Sequence, residues 1–317
     1  MLQGKTGMTR TKVVYLGGAG RSGTTFVSLL LSQNHDCFDI GQIRDLPDGI
    51  AKKHVCSCGK PLVTCDFWGE VAARLVAGYG IHALSRFKEG LEAFSKGAEL
   101  IGDWSVRPDL AALAADHAAF LDLTAGLYRI CREVAGTRAL IDSSKTPGLG
   151  LALALAGEVD LYMLNLVRDP RAVCASWSKL NKNPAKLEGH QRAWNRRLAR
   201  MGQFEALMPD AFRRIRYEDF ATSPLPMVQA IQSWAGLEEN TGFFTAPNAA
   251  NVSWDRTHLF PPVNEEVLKH KADHITIRPS ESWKAPANRP YVELAERVNF
   301  PQAETVGYSL LAGAETP

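Results

Sequence analysis

Two short segments of this 317-residue chain combine residue types that can hold anions. The first, Gly18-Ala19-Gly20-Arg21-Ser22-Gly23-Thr24-Thr25, follows the apolar run Val13-Val14-Tyr15-Leu16 and precedes an apolar helix-like stretch from Phe26 to Leu31. A glycine-rich turn between strand and helix lets successive backbone N–H groups converge on one anion. The helix N-terminus adds unpaired donors and partial positive charge. Ser22, Thr24 and Thr25 supply hydroxyls, and Arg21 supplies a guanidinium. The spacing is that of a P-loop, but Thr24 stands where the phosphate-gripping lysine belongs. That departure disfavours magnesium–nucleotide chemistry and leaves anion binding intact.

The second segment is Val167-Arg168-Asp169-Pro170-Arg171, with Ser176 following two helical turns on. Asp169 suits a helix N-cap and Pro170 the first helical turn. Arg168 would leave the carboxyl end of a strand, where open α/β sheets bind ligands, and its planar fork suits a phosphate. Two anion sites at strand ends imply a ligand with phosphates at two positions. Each segment also has a plainer reading: a ligand-free turn for the first, and an Arg168–carboxylate pair for the second.

The elements that must position these groups are legible from periodicity. Strand patterns cover 13–17, 138–141, 159–167 and 212–216, with a further short one within 36–41. Helical spacing covers 67–135, 171–179 and 188–208. Strands alternating with helices predict an α/β fold, a P-loop-like parallel sheet flanked by helices, with a helical insertion at about 45–135. One domain over 1–317 is expected, with a flexible N-terminus at 1–11 and a long loop at 245–264. Thirty-six Lys and Arg against 34 Asp and Glu leave a formal charge of +2, too balanced for a general nucleic-acid binder. No run of 18 apolar residues occurs, and the polar start lacks the pattern of a signal peptide, so no membrane contact and a cytoplasmic location are expected. Six cysteines do not make a disulfide framework.

Taken as an ordered pair, Gly20-Arg21-Ser22-Gly23-Thr24-Thr25 and Arg168-Asp169-Pro170-Arg171 with Ser176 resemble the two signature segments of sulfotransferases that use 3′-phosphoadenosine 5′-phosphosulfate (PAPS). The flavour is closer to carbohydrate, tyrosyl-protein and bacterial enzymes than to cytosolic steroid and phenol enzymes. The resemblance runs over roughly residues 12–220. It implies transfer of a sulfuryl group to a hydroxyl or amine on a small-molecule, carbohydrate or peptide acceptor, with PAPS as co-substrate and no metal. It also implies that Arg21 neutralises the leaving phosphate, that Ser22 to Thr25 hold the 5′-phosphate, and that Arg168 and Ser176 hold the 3′-phosphate. Phe26 and Tyr217 match aromatics that lie near adenine, though either can equally belong to the core. A sulfuryl group in flight carries less charge than a phosphoryl group, so basic side chains and amides suffice to stabilise it.

An acceptor hydroxyl must lose its proton. Tyrosyl-protein sulfotransferases carry the base in a Gly-Glu pair, and here Gly41-Gln42 puts a neutral amide in that place. Asp142 is the expected base, with Lys145 beside it placed to touch the sulfate. Asp39, Asp45 and His35 are the substitutes. A helix cap is the alternative use of Asp142.

Three further groups stand out. His54, Cys56, Cys58 and Cys65 offer four zinc ligands, but plain structural use or a reversible disulfide is the preferred reading. Arg192, Arg196 and Arg200 recur on one helical face, either solvated or as a route for an anionic acceptor. Arg278 and Lys284 are placed to close the site. A PAPS-dependent sulfotransferase is the leading reading; a P-loop kinase or NTPase and a silent nucleotide-binding protein are the alternatives.

Overall fold

The computed structural model describes residues 10–262 and 270–309. Its main sheet holds β1 (Thr11–Gly18), β2 (Cys37–Asp39), β3 (Ala139–Lys145), β4 (Val159–Val167) and β5 (Phe212–Arg216). The strand order is β2-β3-β1-β4-β5, and every pairing is parallel. Strands covered on both faces need apolar side chains, which is why the centres of β1 and β4, Val13–Leu16 and Leu161–Leu164, are apolar throughout.

The helices, in chain order, are α1 (Thr24–Leu31), α2 (Leu46–Ala51), α3 (Asp66–Tyr79), α4 (Ala83–Ile101), α5 (Arg107–Asp116), α6 (Ala118–Ala135), α7 (Pro147–Leu155), α8 (Pro170–Ser178), α9 (Pro184–Leu207), α10 (Tyr217–Thr222), α11 (Pro224–Trp234) and α12 (Arg289–Asn299). One face of the sheet packs Val14, Leu16 and Leu164 against Val27 and Leu30 of α1 and Ile231 of α11. The other face packs Tyr15, Leu140 and Met163 against Tyr128 of α6, Leu151 of α7 and Phe204 of α9. The helices between β2 and β3 enlarge this second layer, with Trp68, Phe87 and Phe94 fully buried. The mixed α/β architecture with a parallel sheet between helices is therefore as the sequence predicts.

Several expectations need correction. The helix expected at 188–208 starts at Pro184, because the side chain of Asn183 accepts from the Ala185 and Lys186 amides. The stretch 245–264 is not all loop. Its beginning forms β6 (Phe244–Ala246) and β7 (Ala249–Asn251), which join β8 (His274–Thr276) in an antiparallel sheet. These strands are three residues long, too short for alternation to register, and hold their place by burying Ala250 and Ile277 beside α1 and α11. Of the N-terminus expected to be flexible, residues 1–9 lie outside the described residues, but Thr11 is already in β1 and Arg10 donates to the Val159 carbonyl at 2.6 Å. Among the described residues no single helix is long and apolar enough to cross a membrane.

The entry to α8 is fixed by a buried ion cluster. Asp169 accepts from the Arg171 amide at 2.8 Å, and its carboxylate takes the Arg171 guanidinium at 2.8 Å and 3.0 Å. Arg171 reaches on to Glu296 of α12 at 3.1 Å, under the ring of Trp283. Arg171→Met strands two carboxylates in this interior and is expected to cost about 3–5 kcal/mol in urea unfolding. Arg171→Lys is expected to restore only part of that, because a point charge cannot serve both carboxylates as a planar fork does.

Candidate active site

β1 ends in the first anion-holding segment. Gly18 has φ 132° and Gly23 has φ 88°, and Arg21 is also left-handed at φ 70°. A Cβ on Gly23 would lie 2.5 Å from the ring of Tyr217, so only glycine fits there. The first carbonyl to accept a bond in α1 is that of Gly23, from the amides of Phe26 and Val27. The amides just before it precede the intrahelical ladder and point from the helix N-terminus. Ser22 Oγ is buried with no partner among the described residues, as are Nδ2 of Asn165 on the adjacent β4 and Nε of Arg168. Buried polar atoms are normally bonded, so these three near one loop are open to a polar partner. Thr24, at the lysine position of a P-loop, is buried.

The second segment meets the first directly. Nη1 of Arg168 donates to the Arg21 carbonyl at 2.9 Å, and its guanidinium lies 4.4 Å from the Tyr217 ring centroid. Arg21 Nε donates to Ser176 Oγ at 3.0 Å. The anticipated alternative, Arg168 paired with Asp169, does not occur: Asp169 serves Arg171 instead. Burial, then the neighbouring Arg168 charge, lowers the pKa of Arg21. Phe26 is 38% exposed, which removes it from the core, and Tyr217 is half-buried against the loop. Trp177, stacked on His190 at 4.0 Å, closes over Gly20.

The end of β3 lies beside that of β1. Its register against β1 shifts, so that Tyr15 pairs with Asp142 but Gly17 pairs with Lys145. Bulges re-aim side chains at strand ends, and here Lys145 is itself left-handed at φ 63°. Asp142 pins the bulge by accepting from the Ser144 amide at 2.6 Å, and its other oxygen accepts from the Tyr128 hydroxyl. It caps no helix, since the N-cap before Pro147 is Thr146. Burial pushes its pKa up to about 6. Asp39, at the end of β2, is also raised to about 6 by burial, against the lowering effect of the Gly41 amide, which donates to one oxygen at 2.8 Å, and of the nearby Ser28 hydroxyl; Oδ2 has no well-aligned partner among the described residues. The turn after Asp39 is stitched to β3 by Ser143 N–H to Gly41 O at 2.7 Å.

Lys145 is pushed down to about 7 by burial, then by the charge of Arg44, with Arg197 adding to it. Arg197 is lowered by burial and by Arg44 in turn. Neither Arg44 nor Arg197 stood out in the sequence. The signal for Arg197 was its place on the face of α9 that buries Trp194, Met201 and Phe204. Of the evenly spaced arginines, read as a solvated face or a route for an anionic acceptor, Arg192 pairs with Glu188, and Arg200 bonds the Gly102 carbonyl. His35 lies after the far end of α1, 3.4 Å from Glu238, and Asp45 pairs with Arg44. Lys284 pairs with Glu281, and Arg278 is exposed. His54 bonds the Pro261 carbonyl, whereas the three cysteines grouped with it gather around His258.

These features define an α/β protein with a P-loop-like glycine-rich turn at the carboxyl end of its central strand. A model of the sulfotransferase family matches residues 14–241, and the chain belongs to that family. The sulfotransferase domain from the Synechococcus PCC 7002 olefin synthase has a similar fold, with a TM-score of 0.53 and 18% identity over 97% of this chain and 98% of that one. The sulfotransferase domain from the curacin biosynthetic pathway gives 0.52 and 15% over 96% and 100%. No curated protein sequence matches it.

A cluster of like charges assembled for a ligand destabilises the free protein. Lys145→Met is therefore expected to raise Tm by a few degrees. Its folded pKa lies below the ordinary lysine value, so the wild-type penalty is full below about pH 7 and fades as pH rises toward that ordinary value. Thermal scans across pH 6–10 check this, because the gain must shrink with rising pH.

Proposed function

We propose that the chain transfers a sulfuryl group from PAPS to a hydroxyl or amine acceptor. The observation that carries this reading is the Arg168–Arg21 contact, which brings both signature segments to one cradle beside the unpartnered Ser22 hydroxyl. One ribose carrying phosphates at its 3′ and 5′ positions suits two cations so close together. When bound, PAPS supplies the sulfuryl group and departs as adenosine 3′,5′-bisphosphate.

The roles follow from position. Ser22, Gly23, Thr24 and Thr25 hold the 5′-phosphate with amides and hydroxyls, and Gly20 lets the backbone approach under Trp177. Arg168 and Ser176 hold the 3′-phosphate, with Arg21 between the two phosphates. Phe26 and Tyr217 flank the adenine. Lys145, whose backbone pairs with Gly17 and whose Nζ rests on the Ser143 carbonyl at 2.8 Å, stabilises negative charge as sulfur moves from one oxygen to the next. An anion beside it favours the ammonium form and opposes the downward shift of its pKa.

For the proton, Asp39 fits better than the Asp142 expected from sequence. Both oxygens of Asp142 are engaged, by Tyr128 and by Ser144, so it acts as a positioning residue for Lys145. Asp39 is less fully engaged, with Gly41 on one oxygen and only the nearby Ser28 hydroxyl besides, and its pKa of about 6 leaves it ionised at neutral pH while still able to accept a proton.

Adenosine 3′,5′-bisphosphate is expected to raise Tm, and ATP with magnesium is not. Arg168→Met is expected to weaken the bisphosphate about 10- to 100-fold in calorimetric titration, the loss of a charged hydrogen-bond partner. Unchanged affinity would overturn the assignment of the 3′-phosphate site.

Asp39→Asn is expected to lower kcat about 100-fold or more. Wild-type kcat is expected to rise with pH through about 6, as the carboxylate ionises, and that acid limb should vanish in the variant. Asp142→Asn is expected to keep the limb while lowering Tm. An acid limb that disappears in Asp142→Asn and persists in Asp39→Asn would return the base to Asp142.

A further inference from the structure

Away from the cradle, three sulfurs and one imidazole share a small pocket. Cys56 and Cys58 lie in the turn after α2, Cys65 is the N-cap residue of α3, and His258 arrives from the irregular strap at 252–262. Nδ1 of His258 is 3.1 Å from Cys65 Sγ and 3.3 Å from Cys56 Sγ. Cys58 Sγ is 3.6 Å from Cys65 Sγ, and all four ligand atoms lie within 4.8 Å of one another.

Those separations decide among the chemistries open to such a group. A disulfide requires sulfurs about 2.05 Å apart, and all of these cysteines are free. Zinc bonds of about 2.3 Å to sulfur and 2.0 Å to nitrogen give tetrahedral edges near 3.8 Å between sulfurs and about 3.5 Å between sulfur and nitrogen. The sulfur–nitrogen distances of 3.1 and 3.3 Å and the sulfur–sulfur distance of 3.6 Å fall just short of those edges.

The surroundings are also those of a ligand set. Cys65 stands at the N-terminus of α3, where the helix end favours a thiolate. Gly59, at φ 88°, closes the turn, and the Cys56 amide returns to the Lys60 carbonyl at 2.9 Å. The imidazole is held independently of any ion. Phe38 and Phe67 stack on it at 5.7 Å and 5.3 Å, and Trp68 Nε1 bonds the His258 carbonyl at 2.7 Å. Its Nδ1 therefore faces the sulfurs.

We infer that Cys56, Cys58, Cys65 and His258 form a structural zinc site. Four protein ligands leave no open position, so the ion ties segments together and takes no part in the transfer reaction. On binding, the three cysteines ligate as thiolates, and any protons they still hold pass to solvent. The neutral imidazole adds no charge, leaving the centre at −1 beside Lys60 and Lys271. The segments joined are the turn at 56–65 and the strap, and the strap is bonded to the end of β2 through Asp39 N–H to Arg256 O at 2.9 Å.

Protein purified without chelator is expected to contain about one zinc per chain by elemental analysis. Replacement by cobalt is expected to give the intense absorption of tetrahedral cobalt–thiolate. Cys58→Ser, at the exposed ligand, is expected to reduce zinc content and the cobalt–thiolate band, while Cys174→Ser leaves both unchanged. Removing zinc from the wild type with a strong chelator is expected to lower Tm. The proposal is overturned by any of three results: no zinc in the purified protein together with no uptake by the reduced chain, a Cys58–Cys65 disulfide in non-reducing peptide maps, or full zinc content and an unchanged cobalt spectrum in Cys58→Ser. None of these readouts depends on sulfuryl transfer, so this inference and the proposed activity fail separately.

Discussion

A single guanidinium holds the cradle together. Arg168 spends one N–H on the Arg21 carbonyl and rests its plane near Tyr217, so two loops far apart in sequence share one cation. The partner is a carbonyl, not a carboxylate, and the positive charge is therefore not cancelled. The sheet order makes this possible: β4 lies beside β1, and the two strands deliver their following loops to the same edge. Gly23 completes the constraint. The space its side chain would need is filled by the ring beneath Arg168, so loop, arginine and aromatic form one interlocked unit.

The same economy governs the rest of the charge around the strand ends. Carboxylates are plentiful there, but most have been assigned elsewhere. Asp169 and Glu296 hold Arg171, Asp142 holds Tyr128 and the bulge, and Glu218 takes the Tyr308 hydroxyl and the Asp169 amide. What remains around the strand ends is a set of basic side chains: Arg21 and Arg168 at the glycine-rich turn, and Lys145, whose Nζ donates to the Ser143 carbonyl at 2.8 Å, with Arg44 and Arg197 near it. Burial among like charges lowers the proton affinity of Lys145 and Arg197. Such crowding is unfavourable in isolation and becomes favourable when an anion neutralises it.

Much of this was legible in the sequence because it is local. The glycine-rich turn, the Asp169-Pro170 helix start and the apolar strands each declare themselves within about ten residues. What escaped depends on distant partners. Arg197 was hidden behind the more regular spacing of Arg192, Arg196 and Arg200, although its own neighbours Trp194 and Met201 mark the buried face of α9. His258 lies almost 200 residues from the cysteines it meets, whereas His54, close in sequence, turns to Pro261. Asp142 and Asp39 look alike in sequence as carboxylates at strand ends. Only the Tyr128 hydroxyl and the bulge separate them, and neither is visible without the fold.

The short edge strand shows how the distant strap bears on Asp39, the base proposed above. β2 has three residues, and an exposed edge strand of that length has little to fix it. Its inner side is paired to β3, and its outer side is sealed by the strap, where Thr257 bridges Asp39 and the His258 amide donates to the Asp39 carbonyl. The backbone of Asp39 is thus clamped between a central strand and a segment from late in the chain. The side chain has one oxygen fixed by Gly41, so the direction of the other follows from that clamp. A carboxylate at the end of a loose edge strand would lose this aim, and reactive groups must be held to within fractions of an ångström to be effective. The packing of Phe38 and Phe67 around His258 therefore bears on Asp39 through the backbone of the adjacent residues, at a distance from any ligand.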